Sequence, residues 1–206
     1  MSSVMVVYNS ETTDAWCGAW LMHRCFNGVQ LIEYRNSQSM PIVDNRTVFC
    51  IGIQFTEQQL NDLKTYAHRA TVIDHDKRSK NVMRGKDECV FDSSRSSCRL
   101  AYDWCLYHGY VDNFAASGWQ NNRDIAKGMS AITMYVQDRA LGKNKMPNTK
   151  YINLCIESYE RDLMQWDMLA RRASVTPESL TNDGIAIDRY ISNTKEVDDT
   201  SEQDKG

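Results

Sequence analysis

No stretch of about 20 consecutive apolar residues occurs anywhere in the chain, so no transmembrane helix is expected. Met1 to Tyr8 has neither a basic start nor a long apolar segment, so the opening is not read as a signal peptide. Basic excess is also missing: the net charge is −3, which makes duplex nucleic acid an unlikely standing partner. The seven cysteines include no CxxC pair, the spacing by which zinc sites and redox dithiols usually declare themselves. They read instead as free, mostly buried thiols in a reducing, cytoplasmic setting. No internal repeat is evident.

What is present is ordinary material for a core, with 42% apolar residues. Val4 to Tyr8 is a short apolar run of the kind buried on both faces of a sheet. Asp14 to Phe26 follows as a largely buried helix that Asn27-Gly28 can stop. Further strands are expected over Gln30–Tyr34, Thr47–Ile51 and Ala70–Ile73, with a helix from Thr56 to Tyr66 opened by a Thr56/Gln59 capping box. Alternating strands and helices imply an α/β fold, a mostly parallel sheet with flanking helices. Ligands of such sheets bind beyond the carboxyl ends of the strands. The polar residues there are Asn9 to Asp14, Gly52 to Gln54 and Asp74 to Lys77.

After Phe91 the pattern turns helical, with helices expected over Ser96–Tyr107, Asn122–Leu141 and Lys150–Arg172. Ile185 to Ile191 suits helix or strand equally. Composition divides the chain into an α/β domain over 1–145, a helical extension over 146–192 and a polar tail over 193–206 that is expected to be disordered.

Thr71-Val-Ile-Asp-His-Asp-Lys77 resembles the signature of the DHH phosphoesterases, an apolar strand running into Asp-His-His. Val6 to Trp20 resembles that family's first motif, YHxxCxDGxxxAW, and Val48 to Phe55 a strand ending in DFSF. Phe91 to Trp104 is similar to FDxxxSGAxLAWEY, and Tyr135 to Leu141 to YVxDRDLW. Weaker matches at Glu157–Asp167 and Asp183–Ile187 extend the agreement in order and spacing over roughly residues 4 to 190. The short DHH proteins of bacteriophages are the nearest in motif variant.

The resemblance implies a phosphoesterase fold in which a pair of manganese or magnesium ions activates water and clamps the reacting oxygens. Carried over by position, Asp14, His75 and Asp138 match metal ligands, with Asp74 orienting His75. Other positions depart. Asn9 replaces a ligating His, Gly52 replaces the carboxylate that should bridge both metals, and Asp76 replaces the second His of the triplet. Ala15 stands for the usual Gly and Ala140 for the Asp of RDLW. At most one ion is therefore expected, with Glu11 or Asp76 as substitutes in a rebuilt site. The chain ends soon after Ile187, so the family's C-terminal substrate-binding domain is expected to be absent or vestigial.

Structural explanations stand beside these roles. Asp14 suits a helix N-cap, Asp138 an ion pair with Arg139, and Lys77–Arg78 either a solvated loop or an anion-binding cluster. Three functions follow. The first is a degenerate phosphoesterase that binds a phosphate-containing small molecule or a protein partner. The second is a working one-metal enzyme acting on a nucleotide, short oligonucleotide or polyphosphate. The third is an interaction protein that uses its helical second half.

Overall fold

The computed structural model describes residues 3–35, 38–110 and 123–203. Five parallel strands form one sheet in the order β2-β1-β3-β4-β5: β1 Val4–Asn9, β2 Gln30–Tyr34, β3 Thr47–Ile51, β4 Arg69–Asp74 and β5 Cys89–Phe91. The α/β, mostly parallel fold expected from the sequence is thus present. β5, three residues long, is an addition to it.

Local chemistry accounts for the first helices. α1 (Thr13–Cys25) is capped by Thr12, whose side chain accepts from Ala15 N at 3.2 Å, so Asp14 is not its N-cap. Asp14 to Met22 are all buried, as expected for a helix wedged between sheet and further helices. α2 (Glu57–Tyr66) carries the anticipated Thr56/Gln59 capping box. α3 (Lys80–Met83) follows a 3₁₀ turn at Lys77–Ser79.

The helical half comprises α4 (Ser97–Tyr107), α5 (Arg123–Ala140), α6 (Thr149–Ser158), α7 (Leu163–Val175) and α8 (Pro177–Gln203). The continuous helix expected over Lys150–Arg172 is two helices. Asp162 accepts from Gln165 N at 2.9 Å and so starts α7 afresh. Ile185–Ile191 is helical, and α8 continues past Ser192 into the tail where composition predicts disorder. No proline or glycine interrupts the sequence from Asn193 until Gly206, so nothing local stops the helix. Asn122 and Asp204 to Gly206 lie outside the described residues.

Two cores flank the sheet. One joins Val6, Tyr8, Phe49, Ile51 and Ile73 to α1, α4, α5, α6 and α7. Trp166 of α7 lies edge-on to Trp16 and Trp20 of α1, at centroid distances of 6.0 and 5.5 Å. Asp167 reinforces the seam by accepting from Trp20 Nε1 at 3.0 Å and pairing with Arg24 at 2.6 Å. The other core joins Met5, Val7, Val48, Cys50 and Val72 to Val43, Leu60, Leu63 and Met83. Glycines permit the closest helix contacts. A Cβ at Gly128 would sit 1.7 Å from Ala170 O, and one at Gly184 1.9 Å from Tyr151 O. Among the described residues no helix is long and apolar enough to cross a membrane.

Candidate functional site

The carboxyl ends of β1, β3 and β4 open into one cleft of about 440 Å³, where parallel sheets bind ligands. Asn9, Glu11 and Asp14 line it from the β1 side, Gly52 and Gln54 from β3, and Asp74, His75, Asp76 and Arg78 from β4. The opposite wall comes from the helical half: Ser97, Val136, Arg139, Ala140, Asn153 and Glu157. The three polar strand ends singled out in the sequence therefore do converge. Lys77 is exposed and is not part of the lining, whereas Arg78 is.

Asp14 is buried, and both its oxygens accept backbone amides at the start of α4: Oδ2 from Ser97 N at 2.9 Å and Oδ1 from Cys98 N at 3.1 Å. It caps α4, a helix 83 residues away, and answers the positive end of that helix dipole. Asp74 is also buried. Its Oδ1 accepts from His75 N at 2.8 Å and its Oδ2 from Ser79 Oγ. Burial nevertheless pushes its carboxyl above the ordinary range, outweighing those bonds.

His75 Nδ1 shares a 2.9 Å hydrogen bond with Ser97 Oγ and lies 3.6 Å from Asp14 Oδ2 and 3.9 Å from Asp74 Oδ1. Ser97 Oγ donates to Asp74 Oδ1 at 3.5 Å, so in the matching assignment it accepts from His75 Nδ1–H. This is not a nucleophilic triad. There, hydroxyl and carboxylate engage different ring nitrogens, whereas here all three neighbours address Nδ1 and Ser97 is fully buried.

The Asp76 side chain has other partners. Its carboxylate accepts from Arg78 N, Nε and Nη2 and from Gln54 Nε2 at 2.9 Å. The Arg78 hydrogen bonds hold it down to about 2. Arg78 is thereby committed to a neighbouring carboxylate, and Arg139 is committed likewise, to Glu157 at 2.8 Å. Asn9 Oδ1 closes a short turn by accepting from Glu11 N at 2.9 Å.

Asp138 does not line the cleft. Its oxygens accept from Lys145 N and Met146 N, each at 3.0 Å, and from Thr149 Oγ1 at 2.7 Å, tying down the turn between α5 and α6. Burial works to raise its carboxyl, but these donors hold it below the ordinary range. Nor does it pair with Arg139, whose partner is Glu157.

A pair of divalent ions does not fit these residues. Gly52 adopts φ +64°, in the left-handed region that glycine tolerates and other residues avoid. A Cβ there would meet Ala15 Cβ at 3.0 Å and Ser97 Oγ at 3.7 Å. A side chain at this position would therefore be strained by its backbone and crowd the Ala15 methyl. Among the described residues no group of three or more His, Cys, Asp and Glu is placed to hold a metal. Ser97 was not singled out from the sequence. Its signal is its position, where the FDxxxSGA pattern has glycine.

Fold and cleft thus define a parallel α/β protein with a polar strand-end pocket. No family model matches the chain, and no curated protein does. Its fold is similar to the crystal structure of an uncharacterized protein from Helicobacter pylori G27, with a TM-score of 0.63 at 12% identity over 91% of this chain. The chain spans 62% of that protein's length. Likeness at this identity establishes the fold alone.

Proposed function

We propose that this chain is a DHH-type phosphoesterase fold whose two-metal centre has been dismantled, and that it works by binding in its strand-end cleft without hydrolysis. The observation that carries the reading is the ligand-free end of β3. Gly52 supplies no ligand there, and its left-handed backbone and the Ala15 methyl, 3.0 Å from where a Cβ would lie, disfavour any side chain. A two-metal displacement needs a ligand that bridges both ions, and the cleft offers none at the β3 end. A reduced one-metal enzyme on Asp14, His75 and Asp138 draws no support from the geometry, since Asp138 serves the α5–α6 turn.

The ligand class that suits the fold is a phosphate-containing small molecule. Arg78 and Arg139 stand on the cleft wall, each held by a carboxylate that an incoming anion would displace. The test pairs Mn²⁺ calorimetry with turnover of a generic phosphodiester, using His75→Ala as the control. The expected result is no turnover and no saturable Mn²⁺ binding that depends on His75. Mn²⁺-dependent hydrolysis abolished by His75→Ala would overturn the proposal.

A further inference from the structure

All seven cysteines are free thiols, but four of them stand in pairs between α1 and α4: Cys17 with Cys98, and Cys25 with Cys105. The two helices start together, where Asp14 of α1 caps α4, and run side by side away from the cleft. They pack closely, since a Cβ at Gly18 would lie 3.4 Å from Cys98 Cα. Seven residues bring a helix back to nearly the same face. Cys25 lies seven residues beyond Gly18 and Cys105 seven beyond Cys98, so the same register recurs at their level. The neighbours agree. Cys105 Sγ is 3.5 Å from Met22 Sδ, one turn before Cys25, and the Phe26 and Trp104 ring centroids are 6.3 Å apart. The Cys25 thiol is itself hydrogen-bonded to the Cys105 thiol.

The other thiols are placed differently. Cys17 and Cys98 are both completely buried, out of reach of an oxidant. Cys50 on β3 and Cys89 on β5 flank Val72 of β4, which sets their Cα atoms about 10 Å apart. A disulfide needs less than about 7 Å. Cys25 combines a thiol partner with partial exposure: it is half-buried at the last residue of α1, with Cys105 buried beside it. The Cys25 contact, and then burial, push the Cys105 thiol up, so it keeps its proton. The attacking thiol is therefore Cys25 and the resolving thiol Cys105.

We propose that Cys25 and Cys105 are an oxidation site, a thiol pair that hydrogen peroxide converts to a disulfide stapling the far ends of α1 and α4. The Cys25 thiolate attacks one peroxide oxygen, the O–O bond breaks, and the other oxygen leaves as hydroxide, which takes up the proton that Cys25 lost. Cys25 is then a sulfenic acid. The Cys105 sulfur attacks the Cys25 sulfur, the S–O bond breaks, and the departing hydroxide takes the Cys105 proton. Two thiols and one peroxide give one disulfide and two waters. The staple closes a loop of about 80 residues, which removes freedom chiefly from the unfolded chain. It sits at the ends of both helices remote from the cleft, and does not depend on what the cleft binds.

The test treats the full chain with hydrogen peroxide and maps its thiols by mass spectrometry. The expected result is a Cys25–Cys105 link with the loss of two hydrogens, and a urea midpoint that rises and then falls back on adding dithiothreitol. Cys25→Ser, a change at a half-buried position, should form no such link, and its midpoint should not rise with peroxide. Cys105→Ala should stop at a Cys25 sulfenic acid, which dimedone traps. An unaltered chain whose Cys105 stays free after treatment, or whose link joins other cysteines, would overturn the proposal. So would a linked chain whose midpoint is unchanged or lower.

Discussion

On one face of the sheet α1 and α4 are themselves overlaid by α5 to α8, and tryptophans from α1 and α7 interlock across the layers. On the other face, among the described residues, α2, α3 and the Met40–Val43 segment supply the cover. The same five strands thus meet a deep, multiply buttressed core on one side and a single thin layer on the other. Folding stability should concentrate in the first and adaptability in the second. The cleft borrows its fixed wall from the deep side, through Ser97, Arg139, Asn153 and Glu157. A groove of about 430 Å³ between the Met40–Val43 segment and α2 belongs wholly to the thin side.

Substitutions can break this contrast. Trp166→Ala, which empties the junction of α1 and α7, should cost about 3–5 kcal/mol in denaturant unfolding, the largest effect expected. Leu63→Ala under α2 should cost about 2 kcal/mol, the low end for such truncations, because the adjoining groove lets the thin layer settle. A loss equal to that of Trp166→Ala would show that the two faces are equally demanding.

Asp138→Ala should cost about 1–3 kcal/mol by depriving the buried Thr149 hydroxyl and two turn amides of their acceptor, and it should also alter acid unfolding. The folded carboxyl titrates below its ordinary value. Its stabilisation is therefore complete above the unfolded value of about 3.9 and drains away as pH falls through the depressed one. The variant should lose that part of the acid sensitivity and show the same midpoint shift at pH 5 and pH 7, to be read from urea midpoints. Ile42→Ser, at a site 80% exposed, should change stability by less than about 0.5 kcal/mol. A larger loss would mean that the thin face depends on its exposed residues.

Much of the fold was legible because it is written locally. Apolar runs marked β1 and β3, and Thr56 with Gln59 marked the start of α2. The convergence of three strand ends followed from parallel-sheet geometry without any side-chain detail. What escaped was decided at a distance or by very short signals. β5 has only three residues, and the break before α7 hangs on the Asp162 cap. Asp14 and Asp138 show the harder limit. Both were named as metal ligands by motif position, yet each carboxylate is engaged by backbone amides, in Asp14's case 83 residues away. No pattern within a motif reports such partners. Ser97 was hidden for a related reason, because its neighbours His75 and Asp74 come from a different strand end.

The contact between Gly52 and Ala15 imposes an order on change. A side chain at Gly52 must accept a left-handed backbone, at a cost of about 1–2 kcal/mol, and must also crowd the methyl of Ala15, 3.0 Å from where its Cβ would lie. A carboxylate therefore enters at Gly52 with least penalty only after Ala15 has become glycine. The two positions are therefore coupled: Ala15→Gly removes the nearest contact that any side chain at Gly52 would make.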